Sequence, residues 1–270
     1  MEQEPKAHLK LKDRLLGPVQ GVLFDKDGTL SHSEPRLIEL ADARIEEAER
    51  RFRSRGASAL RLRELHDLLE RTYGRSLGGV IPDGTLAVAS RHHNLLSTAT
   101  VFCQMNLSWP QSLVLAQEVF DQVDSDRETL YPGGYPIGLL PDAARLLKEL
   151  SGAGIICAVI SNDTTEGIQN FLDQHQLSDC VSGLWSADHL PAKPDPDAVH
   201  GLCSQLDLKA EDCALIGDAD TDLLMARQAG IGLTLGYVAG WHRLPKLTAH
   251  EHLINHWSEL TAITEAKTRA

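Results

Sequence analysis

Three short polar groups stand immediately after apolar runs in this chain. Asp25-Lys26-Asp27-Gly28-Thr29 follows residues 19–24, Ser161-Asn162 follows 155–160, and Gly217-Asp218 follows 213–216, with Asp222 four residues on. Paired carboxylates suit nucleophilic and acid–base work, and hydroxyl and amide groups suit an oxyanion. If the three apolar runs are neighbouring strands, the polar groups converge on one sheet edge, where open α/β sheets bind ligands. Two carboxylates about 4 Å apart repel by roughly 4 kcal/mol at an effective dielectric of 20, so convergence calls for a counter-charge. Carboxylates, a backbone carbonyl and water suit Mg²⁺. A lysine between prolines, Pro191-Ala192-Lys193-Pro194, supplies a fixed cation of the kind a phosphate site needs.

The elements that must position these groups follow from periodicity. Residues 19–24, 155–160, 213–216 and 231–235 read as strands, and 181–185 as another. Helical patterns over 142–150, 165–175, 196–206 and 221–229 alternate with them, a βαβα rhythm that predicts a doubly wound parallel sheet. From Leu37 the pattern changes. Leu37, Leu40, Ala41, Ile45, Ala48 and Phe52 predict one helix, Leu62, Leu65, Leu69 and Tyr73 a second, and 86–101 a third. Ser108-Trp109-Pro110-Gln111 reads as a capping box opening a fourth. Residues 73–84 read as a loop, and Leu253, Trp257 and Leu260 as a last helix docked on the core. The expected organisation is an α/β core of residues 17–34 and 136–270, with an all-helical domain of residues 35–135 inserted after the first strand.

Taken together the polar groups resemble the motifs of the haloacid dehalogenase superfamily of phosphohydrolases. Asp25-Lys26-Asp27-Gly28-Thr29-Leu30 is similar to the DxDGT loop, Ile160-Ser161-Asn162 to the second motif, Lys193-Pro194 to the third, and Gly217-Asp218-Ala219-Asp220-Thr221-Asp222 to the GDxxxD form of the fourth. The resemblance implies a Rossmann-like core with a helical cap. It implies Asp25 as nucleophile and Asp27 as general acid and base. It also implies Ser161, Asn162 and Lys193 as phosphate-binding groups. Mg²⁺ would lie among Asp25, the Asp27 carbonyl and Asp218, with Asp222 orienting Lys193 or a metal-bound water. The substrate implied is a small phosphorylated metabolite, phosphoglycolate or a sugar phosphate. A phosphomutase and a catalytically silent binding protein on the same fold remain as alternatives. The cap region has no lysine between residues 31 and 140, which sets aside Schiff-base chemistry, and the carboxylate of Asp27 sets aside dehalogenation.

Each residue also has a plainer reading. Asp25, Asp27 and Asp218 alone are common strand-end turns, Ser161 and Asn162 are helix caps, and Asp222 is as readily a solvated helix residue. Lys26 is expected to point away from its acidic neighbours by strand alternation. His242, His250, His252 and His256 read as a solvated face. Arg91-His92-His93 reads as solvent-facing or core-packed rather than as an anchor for a substrate anion.

With 26 basic and 38 acidic residues, the chain carries a net charge of −12, which argues against nucleic-acid or anionic-membrane partners. Residues 94–117 are uncharged but hold too many polar groups for a membrane span. The first 16 residues lack the apolar run of a targeting segment. Five cysteines without a CxxC pair read as reduced thiols, so a cytoplasmic setting is expected.

Overall fold

A computed structural model describes residues 7–132 and 134–264 of the chain. The expectations for residues 1–6, for Gly133 in the glycine-rich boundary and for 265–270 of the core lie outside the described residues. The chain divides into two compact units, one formed by Met1–His32 and Ile137–Ala270, the other by Ser33–Pro136.

The first unit opens with β1 (Ala7–Leu11), β2 (Arg14–Pro18), β3 (Gly21–Phe24) and β4 (Ser31–His32). The second holds α1 (Glu34–Ser54), α2 (Ala59–Tyr73), β5 (Arg75–Ser76), β6 (Gly79–Val80), α3 (Thr85–Val88), α4 (Arg91–Gln104) and α5 (Trp109–Leu130). The first unit resumes with β7 (Gly138–Leu139), α6 (Ala143–Gly152), β8 (Ile156–Ile160), α7 (Thr165–Gln174), β9 (Gly183–Trp185) and α8 (Pro196–Gln205). It ends with β10 (Cys213–Gly217), α9 (Asp220–Gln228), β11 (Leu233–Tyr237), β12 (His252–Ile254) and β13 (Leu260–Thr264).

Six strands form a parallel sheet in the order β12-β11-β10-β3-β8-β9. Every residue of β3, β10 and β11 is buried, as a strand covered on both faces requires. From β3 the chain winds outward through β8 and β9, then returns to the other side of β3 at β10. The border between β3 and β10 is therefore the topological switch point, and the crevice at its carboxyl end is the expected ligand position. Leu23, Ala158 and Leu215 from three adjacent strands share one apolar cluster with Val199 and Leu202 of α8 and Leu223 and Ala226 of α9.

Three expectations are corrected. Leu253, Trp257 and Leu260 do not build a helix. Residues 252–254 and 260–264 are strands, and β13 pairs antiparallel with β1, from Ala7↔Thr264 to Leu11↔Leu260. The partner lies some 250 residues away, so local periodicity did not reveal it, and the β1–β2 hairpin that completes this sheet was likewise unassigned. Trp257 stays buried, stacked on Tyr237 with ring centroids 4.1 Å apart. Residues 86–101 are two helices, broken at Ala89 and Ser90. Ser90 accepts from the His93 amide at 3.3 Å, and Asn94 Nδ2 donates to the carbonyls of Thr85, Ala89 and Ser90, satisfying the ends that the break exposes. Residues 73–84 contain the small β5–β6 hairpin. The capping box at Ser108 forms as expected, with Gln111 bonded back to the Ser108 amide at 3.1 Å.

Candidate active site

Asp25 is the first residue beyond β3, and its amide donates to the Ile216 carbonyl of β10 at 2.9 Å. That bond carries the sheet ladder one step past the strand and fixes the Asp25 Cα at the switch point. Lys193 reaches it from the segment between β9 and α8. The Lys193 Nζ donates to Asp25 Oδ1 at 2.7 Å and to the Ile160 carbonyl at 3.3 Å, and it lies 2.7 Å from Asp222 Oδ1 on α9. Asp218 follows β10 and accepts from Thr29 Oγ1 at 3.3 Å and from Trp241 Nε1. Asp25, Lys193, Asp218 and Asp222 are all buried.

Asp25, Asp218 and Asp222 each offer a carboxylate oxygen within 4.8 Å of the others, the one such acidic, histidine or cysteine group among the described residues. A single lysine faces these acids. Burial pushes the Asp25 carboxyl up to about 6; Lys193 opposes the rise, and Asp222 and Asp27 add to it. Burial, then the Asp25 and Asp222 charges, raise Asp218 well above the usual carboxylate range. Burial works against the charge on Lys193, but Asp222 and Asp25 outweigh it and hold its pKa above the ordinary value. Asp25 Oδ2 is buried without a hydrogen-bond partner. An excess of buried carboxylate and an orphaned carboxylate oxygen fit a hard divalent cation.

Gly28 closes the loop at φ +84°, the left-handed region. A Cβ there would fall 2.3 Å from Asp218 Oδ2 and 2.5 Å from Trp241 Nε1, so only glycine leaves room for the Asp218–Trp241 pair. Asp27 lies half-buried, 3.2 Å from the Ser31 hydroxyl that donates to it. Ser161 is buried at the end of β8; its amide donates to the Trp185 carbonyl at 2.9 Å and its hydroxyl accepts from the Asp163 amide at 3.1 Å. Asn162 follows it, half-buried. Of the expected residues, Asp25, Lys193, Asp218 and Asp222 come together side chain to side chain. Ser161 and Asn162 stand at the end of the adjoining strand, β8.

Residues 19–230 match the model of the haloacid dehalogenase-like hydrolases. The chain belongs to this family. Among curated proteins this hydrolase is 28% identical over 224 residues to the phosphoglycolate phosphatase of Vibrio cholerae serotype O1, covering 81% of this chain and 86% of the relative. It is 27% identical over 226 residues to that of Yersinia pestis, covering 82% and 84%. Its fold matches a crystal structure described as a predicted phosphoglycolate phosphatase from Haemophilus somnus 129PT, with a TM-score of 0.64, 18% identity and coverage of 89% and 96%.

Lys26 corrects an expectation. It does not point away from its neighbours. It is fully buried, with Nζ 2.8 Å from Asp27 Oδ1, 3.1 Å from Asp163 Oδ2 and 5.5 Å from the Phe171 ring centroid. Strand alternation does not apply, because β3 ends at Phe24 and the backbone turns at Lys26, whose carbonyl accepts from the amides of Thr29, Leu30 and Ser31. Thr29, Asp163 and Trp241 were also missed. Trp241 had a findable signal: it follows β11, a parallel strand of the same sheet. Arg91 pairs with Asp121 and Asp124, while His92 and His93 are exposed. All five cysteines are free thiols. No helix among the described residues is long and apolar enough to cross a membrane.

Proposed function

We propose that this hydrolase is a Mg²⁺-dependent phosphatase of a small phosphorylated metabolite, with 2-phosphoglycolate the first substrate to test. The observation that carries the reading is the arrangement around Asp25: one oxygen held by Lys193, the other buried and unpartnered, at the β3–β10 switch point. Such a carboxylate is oriented by a fixed cation yet retains a lone pair for reaction. The curated phosphoglycolate phosphatases, similar over most of both chains, support the choice of substrate.

Asp25 attacks phosphorus, forming an O–P bond as the ester oxygen departs. Asp27 gives that oxygen its proton. Asp27, then a carboxylate, takes a proton from water; the water oxygen attacks phosphorus, the Asp25–phosphorus bond breaks and inorganic phosphate leaves. The Lys26 ammonium, 2.8 Å from Asp27 Oδ1, fixes the position of that carboxyl. Lys193 neutralises charge on Asp25 and on the transferring group, while Asp222 holds Lys193 from its other side. Ser161, Asn162 and the amides leading into α7 offer donors to phosphoryl oxygens. Asp25, Asp218 and the Asp27 carbonyl would hold Mg²⁺, which when bound supplies positive charge to the phosphoryl oxygens. The five free thiols accord with a reducing, cytoplasmic setting.

The deciding experiment is release of inorganic phosphate from a panel of phosphate monoesters, with Mg²⁺ and with EDTA, for wild type and Asp25→Asn. Wild type releases phosphate only with the metal, and the variant loses on the order of 10⁴-fold or more in kcat, as nucleophile removal does elsewhere. Near-normal kcat in Asp25→Asn, or isomerisation of a sugar phosphate without phosphate release, overturns the reading.

A further inference from the structure

Lys26 is set among carboxylates as Lys193 is. Lys193 lies between Asp25 and Asp222. Lys26 Nζ lies 2.8 Å from Asp27 Oδ1 and 3.1 Å from Asp163 Oδ2, and its side chain is wholly buried. The two carboxylates belong to different loops: Asp27 follows β3, and Asp163 lies between β8 and α7. A buried ammonium keeps its charge where carboxylates surround it, and its three donors can serve two of them at once. Phe171 of α7 closes another side, its ring centroid 5.5 Å from the nitrogen.

Asp163 is itself firmly held. Its amide donates to Ser161 Oγ at 3.1 Å, its carbonyl accepts from the Ala187 amide at 2.9 Å, and its Oδ1 accepts from the Thr164 amide at 2.8 Å. The first turn of α7 packs on the carboxylate, since a Cβ added at Gly167 would fall 2.7 Å from both of its oxygens. Asp27 is gripped at Oδ1, which accepts from Ser31 Oγ at 3.2 Å and from Lys26 Nζ at 2.8 Å. A run of bonded groups thus leads from Ser161, where the phosphoryl group is proposed to rest, through Asp163 and Lys26 to Asp27.

We propose that Asp163 is a positioning residue that sets the carboxyl of Asp27 through Lys26. Proton transfer to the departing ester oxygen then depends on a side chain of the loop that carries Ser161. Without the Asp163 charge, the ammonium loses one of its two carboxylates. It shifts toward the other and draws Asp27 from its place. An acid must lie within hydrogen-bond reach of the oxygen it serves, so a small displacement slows the transfer. The inference rests on the reading of Asp27 as acid and base.

The test compares kcat/KM of the full chain, with Mg²⁺, on two esters. One is the alkyl phosphate that wild type cleaves fastest, 2-phosphoglycolate first, and the other is p-nitrophenyl phosphate. For both, kcat/KM reads the transfer of the phosphoryl group to Asp25. An alkoxide must gain a proton as it leaves, whereas nitrophenolate leaves without one. Asp163→Asn keeps the size of the side chain and an oxygen for the Thr164 amide, and removes the charge that Lys26 meets. It is expected to lower kcat/KM for the alkyl ester by about tenfold more than for the nitrophenyl ester, part of the roughly 10²–10⁴-fold that a positioned acid supplies. Lys26→Met shows the same selective loss, and Asp163→Asn added to it brings no further selective loss, because the two act as one unit. A merely structural Asp163 lowers both esters equally or leaves both unchanged, and either result overturns the proposal. Selective losses that multiply in the double variant overturn it too. Should Asp163→Asn fail to fold, Lys26→Met decides, and equal losses on the two esters in that variant overturn the proposal. A wild type inactive on every ester overturns the phosphatase reading and this inference with it, whereas an active wild type with equal losses in the variants overturns this inference alone.

Discussion

Lys193 Nζ lies 2.7 Å from Asp25 Oδ1, although 168 residues separate them. The same nitrogen lies 2.7 Å from Asp222, so one buried ammonium holds two carboxylates that would otherwise repel each other.

Lys193→Met should expose that repulsion. Leaving buried carboxylates without their cation costs about 3–5 kcal/mol, and loss of a transition-state cation costs about 10²–10³ in kcat. Urea unfolding in EDTA reads the first effect and phosphate release reads the second. Added Mg²⁺ recovers part of the stability. An unchanged unfolding midpoint in EDTA would show that the ion pair does not support the folded state.

The raised Asp25 carboxyl makes a pH prediction. Folding lifts it from 3.8 to about 6, so between those values the folded state holds more protons than the unfolded one. Its contribution to stability is therefore lost as pH rises through that window. In EDTA, Asp25→Asn should gain on wild type by on the order of 2–3 kcal/mol between about pH 4 and pH 7. Protons and Mg²⁺ compete for the same oxygens, so the Mg²⁺-induced rise in wild-type melting temperature grows over the same range. A gain independent of pH counts against the raised carboxyl.

Gly28→Ala should be far more damaging than its size suggests. The added methyl would meet Asp218 Oδ2 at 2.3 Å and Trp241 Nε1 at 2.5 Å, on a backbone at φ +84°. The strained conformation alone costs about 1–3 kcal/mol. The variant should lose both Mg²⁺ affinity and turnover, measured by calorimetry and phosphate release.

Trp241 bonds Asp218 directly and is 5% exposed, so it should report on metal binding. Groups that orient a ligand typically contribute about 10–100-fold to metal affinity, and Trp241→Phe should weaken Mg²⁺ by that order. A Mg²⁺-dependent change in tryptophan emission, present in wild type and absent in the variant, identifies the reporter among the chain's 4 tryptophans.

Much of this molecule was legible before it was folded. Asp25 and Asp218 stood out because each directly follows a continuous apolar run that forms a parallel strand, Asp222 because it lies four residues beyond Asp218, and Lys193 because prolines flank its segment. The same logic failed for Lys26. Alternation holds only inside a strand, and Lys26 lies beyond the end of β3, in a turn that folds its ammonium back onto Asp27 and Asp163. It failed again at the carboxyl end, where pairing of β13 with β1 overrode the local pattern.

From sequence alone came the alternation of strand and helix, the predominantly helical segment between the first and second core strands, and the residue types of the site, because periodicity and turn chemistry are local properties. Tertiary structure decided which groups meet. It joined Lys193 to both Asp25 and Asp222 and brought Trp241 to Asp218. Contacts of this kind join residues distant along the chain, and burial sets their strength by removing water that would otherwise screen the charges.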